Sequence, residues 1–146
     1  METNRLELED VGLTGLYILD CRSLMELAQI IGRWEDISEL QERMNRACSG
    51  LENLWDEENA FYYNRRTDTG EFSRHISPTN FYALFSPHVS SARQRRMADE
   101  HYYNPNELYM KTTTVSPAKA AILETVINSI TGARCYVPLR LRTPDI

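Results

Sequence analysis

The side chains best suited to chemistry in this chain are carboxylates: the run Asp56, Glu57 and Glu58, and the earlier Asp20. Hydrolysing a glycosidic bond takes two carboxyl groups on opposite sides of it, with one proton between them. Three consecutive residues point in diverging directions and cannot supply that geometry alone, so the run reads as a solvated acidic turn. The alternating oxygen ligands of a calcium loop are also absent. Asp20 falls between Leu16/Tyr17 and Leu24 on an apolar stripe. A carboxylate buried there needs a partner, and a structural hydrogen bond or a rim position is favoured over a cleft-facing role.

The other candidates are weaker. His75, His88 and His101 make no His-x-x-x-His pair and none sits beside a matching Cys, so no metal site is expected. His75, between Arg74 and Ser77-Pro78, is of a type that donates to a sugar hydroxyl, but it reads as a surface-turn histidine. Ser73, Ser77 and Ser86 lie in no nucleophile elbow, and no phosphate or dinucleotide loop occurs. Arg93, Arg95 and Arg96 are followed by Asp99 and Glu100, the mixed-charge face of a solvated helix. The net charge of −5 argues against nucleic-acid or acidic-membrane partners. Cys21, Cys48 and Cys135 are odd in number and lack Cys-x-x-Cys spacing, which fits a reducing, cytoplasmic setting. The acidic start METNRLELED is unlike a secretory signal, and no apolar run reaches transmembrane length.

Helical spacing organises the first third. A helix is expected from Leu8 to Ile31, with Leu13, Leu16, Tyr17, Leu24, Leu27, Ala28 and Ile31 on one side. Gly12 and Gly15 weaken its first turns and point to close packing against a neighbour. Gly32 suits the stop. A second helix follows, with Asp36 as cap, Glu39 at capping-box spacing, and a stripe of Ile37, Leu40, Met44, Ala47, Leu51 and Leu54. The short link makes the two an antiparallel αα-hairpin. Ala60 to Asn64 and Glu71 to Ile76, around Thr67-Asp68-Thr69-Gly70, predict a small β-hairpin. Ser77-Pro78 opens a short helix to Phe85, Pro87 breaks it, and Ser90 caps another to about Tyr102. A further helix is expected from Ser116-Pro117 to Ile130, before an aperiodic end.

The pieces VGLTGLYILDCRSLMELAQIIGR, LWDEE, AFYYNRR, ISPTNFYALFSP and HYYNPNELY, in that order over roughly Asp10 to Tyr109, resemble the mannosylglycerate hydrolase-like group and glycoside hydrolase family 63. Ala83 stands where members typically carry Pro. The resemblance implies an all-α fold: part of an α/α toroid of antiparallel helical hairpins, with the β-hairpin as an excursion. It implies an inverting α-glycosidase acting on α-glucosides, α-mannosides or mannosylglycerate, without metal or organic cofactor. An Asp would be the general acid and a Glu the general base. The family's acid-bearing segment, its Trp-Arg-Gly motif and its base-bearing segment have no match here, so no catalytic residue is assigned. Asp10 and Tyr17 are the matched positions expected to approach the substrate funnel.

Residues 1–109 therefore read as a toroid segment and 110–146 as a divergent tail, pointing to a shifted or broken reading frame, or a split gene. The chain alone is expected to be catalytically silent. It would meet a carbohydrate only once missing segments complete it, and it would self-associate through uncovered apolar helix faces. The alternative is a helical interaction or regulatory module.

Overall fold

Asp10 decides where the first helix begins. Its Oδ1 accepts from the Leu13 amide at 2.7 Å, and its backbone is extended. Helix α1 therefore runs Val11–Ile30, while Leu8–Glu9 form a short strand, β1. The expected helical start at Leu8 is corrected by this cap: a side chain that satisfies the first-turn amide starts the helix at Val11, three residues later than periodicity proposes. The computed structural model describes residues 7–104, 106 and 107, all within one unit, residues 1–114. The expected helix from Ser116 to Ile130 and the tail from 110 to 146 lie outside the described residues.

Helix α2 spans Glu35–Glu52, joined to α1 by Ile31 to Trp34 with Gly32 at φ 75°. Only a glycine adopts that backbone freely. The expected cap on α2 is not formed. Trp34 occupies the cap position without a side-chain bond, and Asp36 sits in the first turn. The reason is Arg33, whose guanidinium draws Glu35 (3.2 Å) and Asp36 (2.9 Å) outward. The apolar stripe of α2 is as expected: Met44, Leu51 and Leu54 are buried, and Ile37, Leu40 and Ala47 are half-buried. The hairpin of α1 and α2 is thus present.

The buried face of α1 is not the one expected. Val11, Gly12, Gly15, Ile18, Cys21, Met25 and Ala28 are buried, whereas Leu13, Leu16, Tyr17, Leu24, Leu27 and Ile31 are exposed. The cause is the glycine pair. A 3₁₀ helix, Pro78–Phe85, lies directly on it. A Cβ at Gly15 would stand 2.3 Å from the Tyr82 carbonyl oxygen, and one at Gly12 would stand 2.9 Å from the Thr79 Cβ. Periodicity identifies an apolar face, but a helix apolar on both sides is oriented by whichever side allows the closest approach. The close-packing role expected for the two glycines is therefore observed.

Two small antiparallel sheets complete the described residues. Strand β4 (Asn64–Arg66) pairs with β5 (Phe72–Ser73) across a turn containing Gly70, so a hairpin forms about the expected turn, but its first strand is not the expected Ala60 to Asn64, whose Phe61–Tyr62 pair elsewhere. Strand β1 joins it, pairing Leu8 with Arg66 and Glu9 with Arg65. Trp55–Asp56 (β2) and Phe61–Tyr62 (β3) form a second hairpin that the spacing had not indicated. Helix α3 (Ser91–Met97), capped by Ser90, continues into a π-helical turn, Ala98–Tyr102. The architecture is helical with small antiparallel sheets. Among the described residues no helix is long and apolar enough to cross a membrane.

Two glycine substitutions separate the contributions. Gly15→Ala forces backbone apart and should destabilise by about 1–3 kcal/mol or more. Gly50→Ala, where the added Cβ meets nothing within 4 Å, should stabilise α2 by about 0.5–1 kcal/mol. Urea unfolding followed by circular dichroism checks both.

Candidate functional site

The described surface carries two grooves between α1 and α2. The larger, about 490 Å³, has Leu8, Glu9, Asp10, Leu13, Thr14 and Tyr17 on one wall and Ala47, Gly50, Asn53 and Leu54 on the other. The second, about 360 Å³, lies further along the hairpin between Leu24, Leu27 and Ile31 of α1 and its link and Leu40 and Arg43 of α2. Asp10 and Tyr17, the expected substrate-facing residues, both line the larger groove.

Asp10 is already engaged. Besides capping α1, its Oδ2 accepts from Asn64 Nδ2 at 3.2 Å, and Asn64 Oδ1 accepts from the Val11 amide at 2.8 Å. Glu9 pairs with Arg65 at 2.7 Å. The groove's ionisable residues therefore come from one short stretch of chain and also hold the β-hairpin against the start of α1. Ala47, Gly50, Asn53 and Leu54 bring no carboxylate to the facing wall.

The acidic run divides by role. Glu57 and Glu58 are exposed, as expected of a solvated turn, but Asp56 is buried. Its Oδ1 accepts from the amides of Glu58 (3.0 Å) and Asn59 (3.2 Å), and its Oδ2 from Asn59 Nδ2 (2.8 Å). Burial pushes its pKa upward, but those hydrogen bonds and the Arg74 guanidinium outweigh it and hold the carboxyl below its ordinary value. Asp56 is thus the organiser of the turn between β2 and β3. Asp20 is exposed and not buried in a stripe.

Beside that turn lies a polar and aromatic cluster that local spacing did not reveal. Arg93 Nη1 donates to Glu52 Oε2 (2.5 Å) and to the Tyr62 hydroxyl (3.2 Å), and its guanidinium lies 4.8 Å from the Trp55 ring centre. Trp55 Nε1 donates to Glu57 at 2.6 Å, and Glu57 also accepts from Arg96 at 2.6 Å. The expected basic run is therefore partly an anchor: Arg93 and Arg96 clamp the LWDEE segment. Burial pushes the Tyr62 phenol up to about 12. No pattern within one element could have flagged Glu52 and Arg93, which are 41 residues apart.

His75 and His88 are exposed, and His101 is buried. His101 Nε2 donates to the Asn59 carbonyl at 2.6 Å, since that oxygen only accepts, and Nδ1 lies 2.7 Å from Glu107 Oε2. Its ring packs on Phe61. Among the described residues no group of three or more His, Cys, Asp or Glu is placed to hold a metal ion.

A family model for the mannosylglycerate hydrolase MGH1-like glycoside hydrolase domain matches residues 1–121. The chain belongs to this family. No curated protein matches it. In this MGH1-like glycoside hydrolase domain, the pieces that carried the resemblance are largely scaffold: LWDEE and AFYY form the β2–β3 turn, SPTNFYALF forms the 3₁₀ helix on α1, and HYYNPNE supplies His101 and Glu107.

Asp56→Ala, which strands two amides and the Asn59 side chain, should cost about 1–3 kcal/mol. Because the folded carboxyl lies below its ordinary 3.8, Asp56 contributes stability above that pH and loses it as pH falls through the folded value. The wild type should therefore lose the difference from the variant in acid. Tyr62 behaves oppositely. Its contribution is complete below pH 10.0 and is lost as pH rises toward about 12. Urea titrations of wild type and Tyr62→Phe at pH 8 and pH 11 should show the alkaline loss, up to about 2 kcal/mol, in the wild type only.

Proposed function

We propose that this chain is a segment of the helical-hairpin wall of an α/α toroid in an inverting α-glycosidase. Its substrates are α-glucosides, α-mannosides or mannosylglycerate, and the chain alone is silent because the acid and base lie outside it. The observation that carries this reading is the one-sided placement of carboxylates in the larger groove. Glu9 and Asp10 are consecutive and belong to the same wall, and Asp10 spends both oxygens on structural hydrogen bonds. Inversion needs two carboxyl groups about 6.5–9.5 Å apart across the bond, with room for water between them. The family membership supplies the reaction class.

Asp10 and Tyr17 are the groups that meet sugar in this proposal. A carboxylate has about four lone-pair sites, so Asp10 retains acceptor capacity for a hydroxyl beyond its two bonds. Tyr17, half-exposed at the groove, offers an aromatic face to a pyranose ring. Residues 110–146 act as a divergent tail and not as a source of the missing carboxylates. The expected result is no release of phenol from aryl α-glucosides and α-mannosides, and no hydrolysis of mannosylglycerate, above buffer. Turnover that copurifies with the chain to constant specific activity overturns the proposal. Saturation-transfer NMR with methyl α-mannoside and α-glucoside should give contacts that Tyr17→Ala abolishes.

A further inference from the structure

We propose that Gly50 is a specificity-determining residue of the larger groove: its missing side chain leaves the space in which a hexopyranoside lies against the backbone of α2, across from Tyr17. This inference rests on the sugar-binding reading of that groove. Each of the other described glycines has a structural reason to be glycine. Gly12 and Gly15 meet the 3₁₀ helix too closely for a β-carbon, and Gly32 and Gly70 have positive φ. Gly50 has neither reason. It lies inside α2, where glycine weakens a helix relative to alanine, and a β-carbon added there would meet nothing within 4 Å. The described fold therefore does not ask for a glycine at this position. The space that a side chain would fill belongs to the groove, whose wall Gly50 forms.

The surroundings of Gly50 suit a sugar. The groove's volume of about 490 Å³ falls within the range of small-molecule sites, roughly 300–1,000 Å³. Ala47 and Gly50, one helical turn apart, keep the α2 wall shallow. Asn53, three residues further on, is exposed and lines the same wall. Its Nδ2 reaches the Ser49 carbonyl at 3.4 Å, a long bond that a ligand hydroxyl can replace. A smooth stretch of helix with a carboxamide at its end thus stands across the groove from an aromatic ring and the Asp10 carboxylate. A pyranose carries the matching pattern: an apolar C–H face for Tyr17 and hydroxyls on its rim for Asn53 and Asp10. A side chain at position 50 would occupy the place of the ring.

The test sets binding against stability. The full chain is titrated with methyl α-mannoside and methyl α-glucoside by saturation-transfer NMR, and each variant is unfolded in urea in parallel. Gly50→Ala should unfold at higher urea than the wild type and yet bind sugar more weakly. Gly50→Leu, with a good helix former, should fold and weaken binding further, by about tenfold or more. Ser49→Leu, which adds the same side chain one position round the helix and off the groove, should leave binding unchanged. A glycine present only for the helix would not move stability and binding in opposite directions. Sugar bound by the wild type and equally well by both Gly50 variants, or lost equally in Ser49→Leu, overturns this inference alone. A wild type that binds neither sugar overturns it together with the sugar-binding reading of the groove.

Discussion

The contact of Gly15 with Tyr82 governs the rest of the described structure. At that point the backbone of α1 and the backbone of the 3₁₀ helix meet with no space for a β-carbon. Backbone contact of this kind fixes the rotation of α1 about its own axis. Ile18, Cys21, Met25 and Ala28 then turn inward, and Leu13, Tyr17, Leu24 and Leu27 turn outward. A glycine costs helix propensity of about 1 kcal/mol relative to alanine, and the burial of that inward face offsets it.

Polar hooks hold the second partner of this contact in place. Asn80 is almost fully buried in the 3₁₀ helix. Its Oδ1 accepts from the Ser77 amide at 3.0 Å, and its Nδ2 donates to the Tyr62 carbonyl at 2.8 Å. Tyr62 in turn leads to Glu52 and Arg93 through its hydroxyl. The chain from α1 through the 3₁₀ helix and β3 to α3 is therefore continuous, and each buried polar atom in it has a partner. A network satisfied at every member rigidifies, whereas one left partly open destabilises.

What the sequence disclosed, and what it concealed, follows from the range of each signal. The α2 stripe, the Ser77-Pro78 start, the Ser90 cap and the Gly70 turn depend on residues within one turn of each other, and all appear in the structure. The start of α1 is set by the local Asp10 cap, and periodicity carries it back to Leu8 because Leu8–Glu9 are held as a strand by Arg66 and Arg65, more than 50 residues away. The cap of α2 was misassigned to Asp36 because a neighbouring arginine competed for the carboxylate. The inward face of α1 was misjudged because its outer face carries the larger side chains, and hydrophobic periodicity weights size over fit. In the larger groove, Asp10 and Tyr17 do lie together, since seven residues are two turns of helix on one side.

A helix with large apolar side chains on one face and small, tightly fitted ones on the other is suited to be covered twice. The fitted side needs its own chain, because glycine-to-backbone contact tolerates no rearrangement. The leucine side tolerates several occupants, because long side chains repack around whatever helix arrives. Such an asymmetry gives one element two different surfaces: the glycine face is fitted to the 3₁₀ helix, and the leucine face is left exposed. The carboxylates of this segment serve as caps and turn anchors: Asp10 and Asp56 each hold their own backbone, whereas two carboxyl groups facing each other across a sugar have to come from surfaces that face each other.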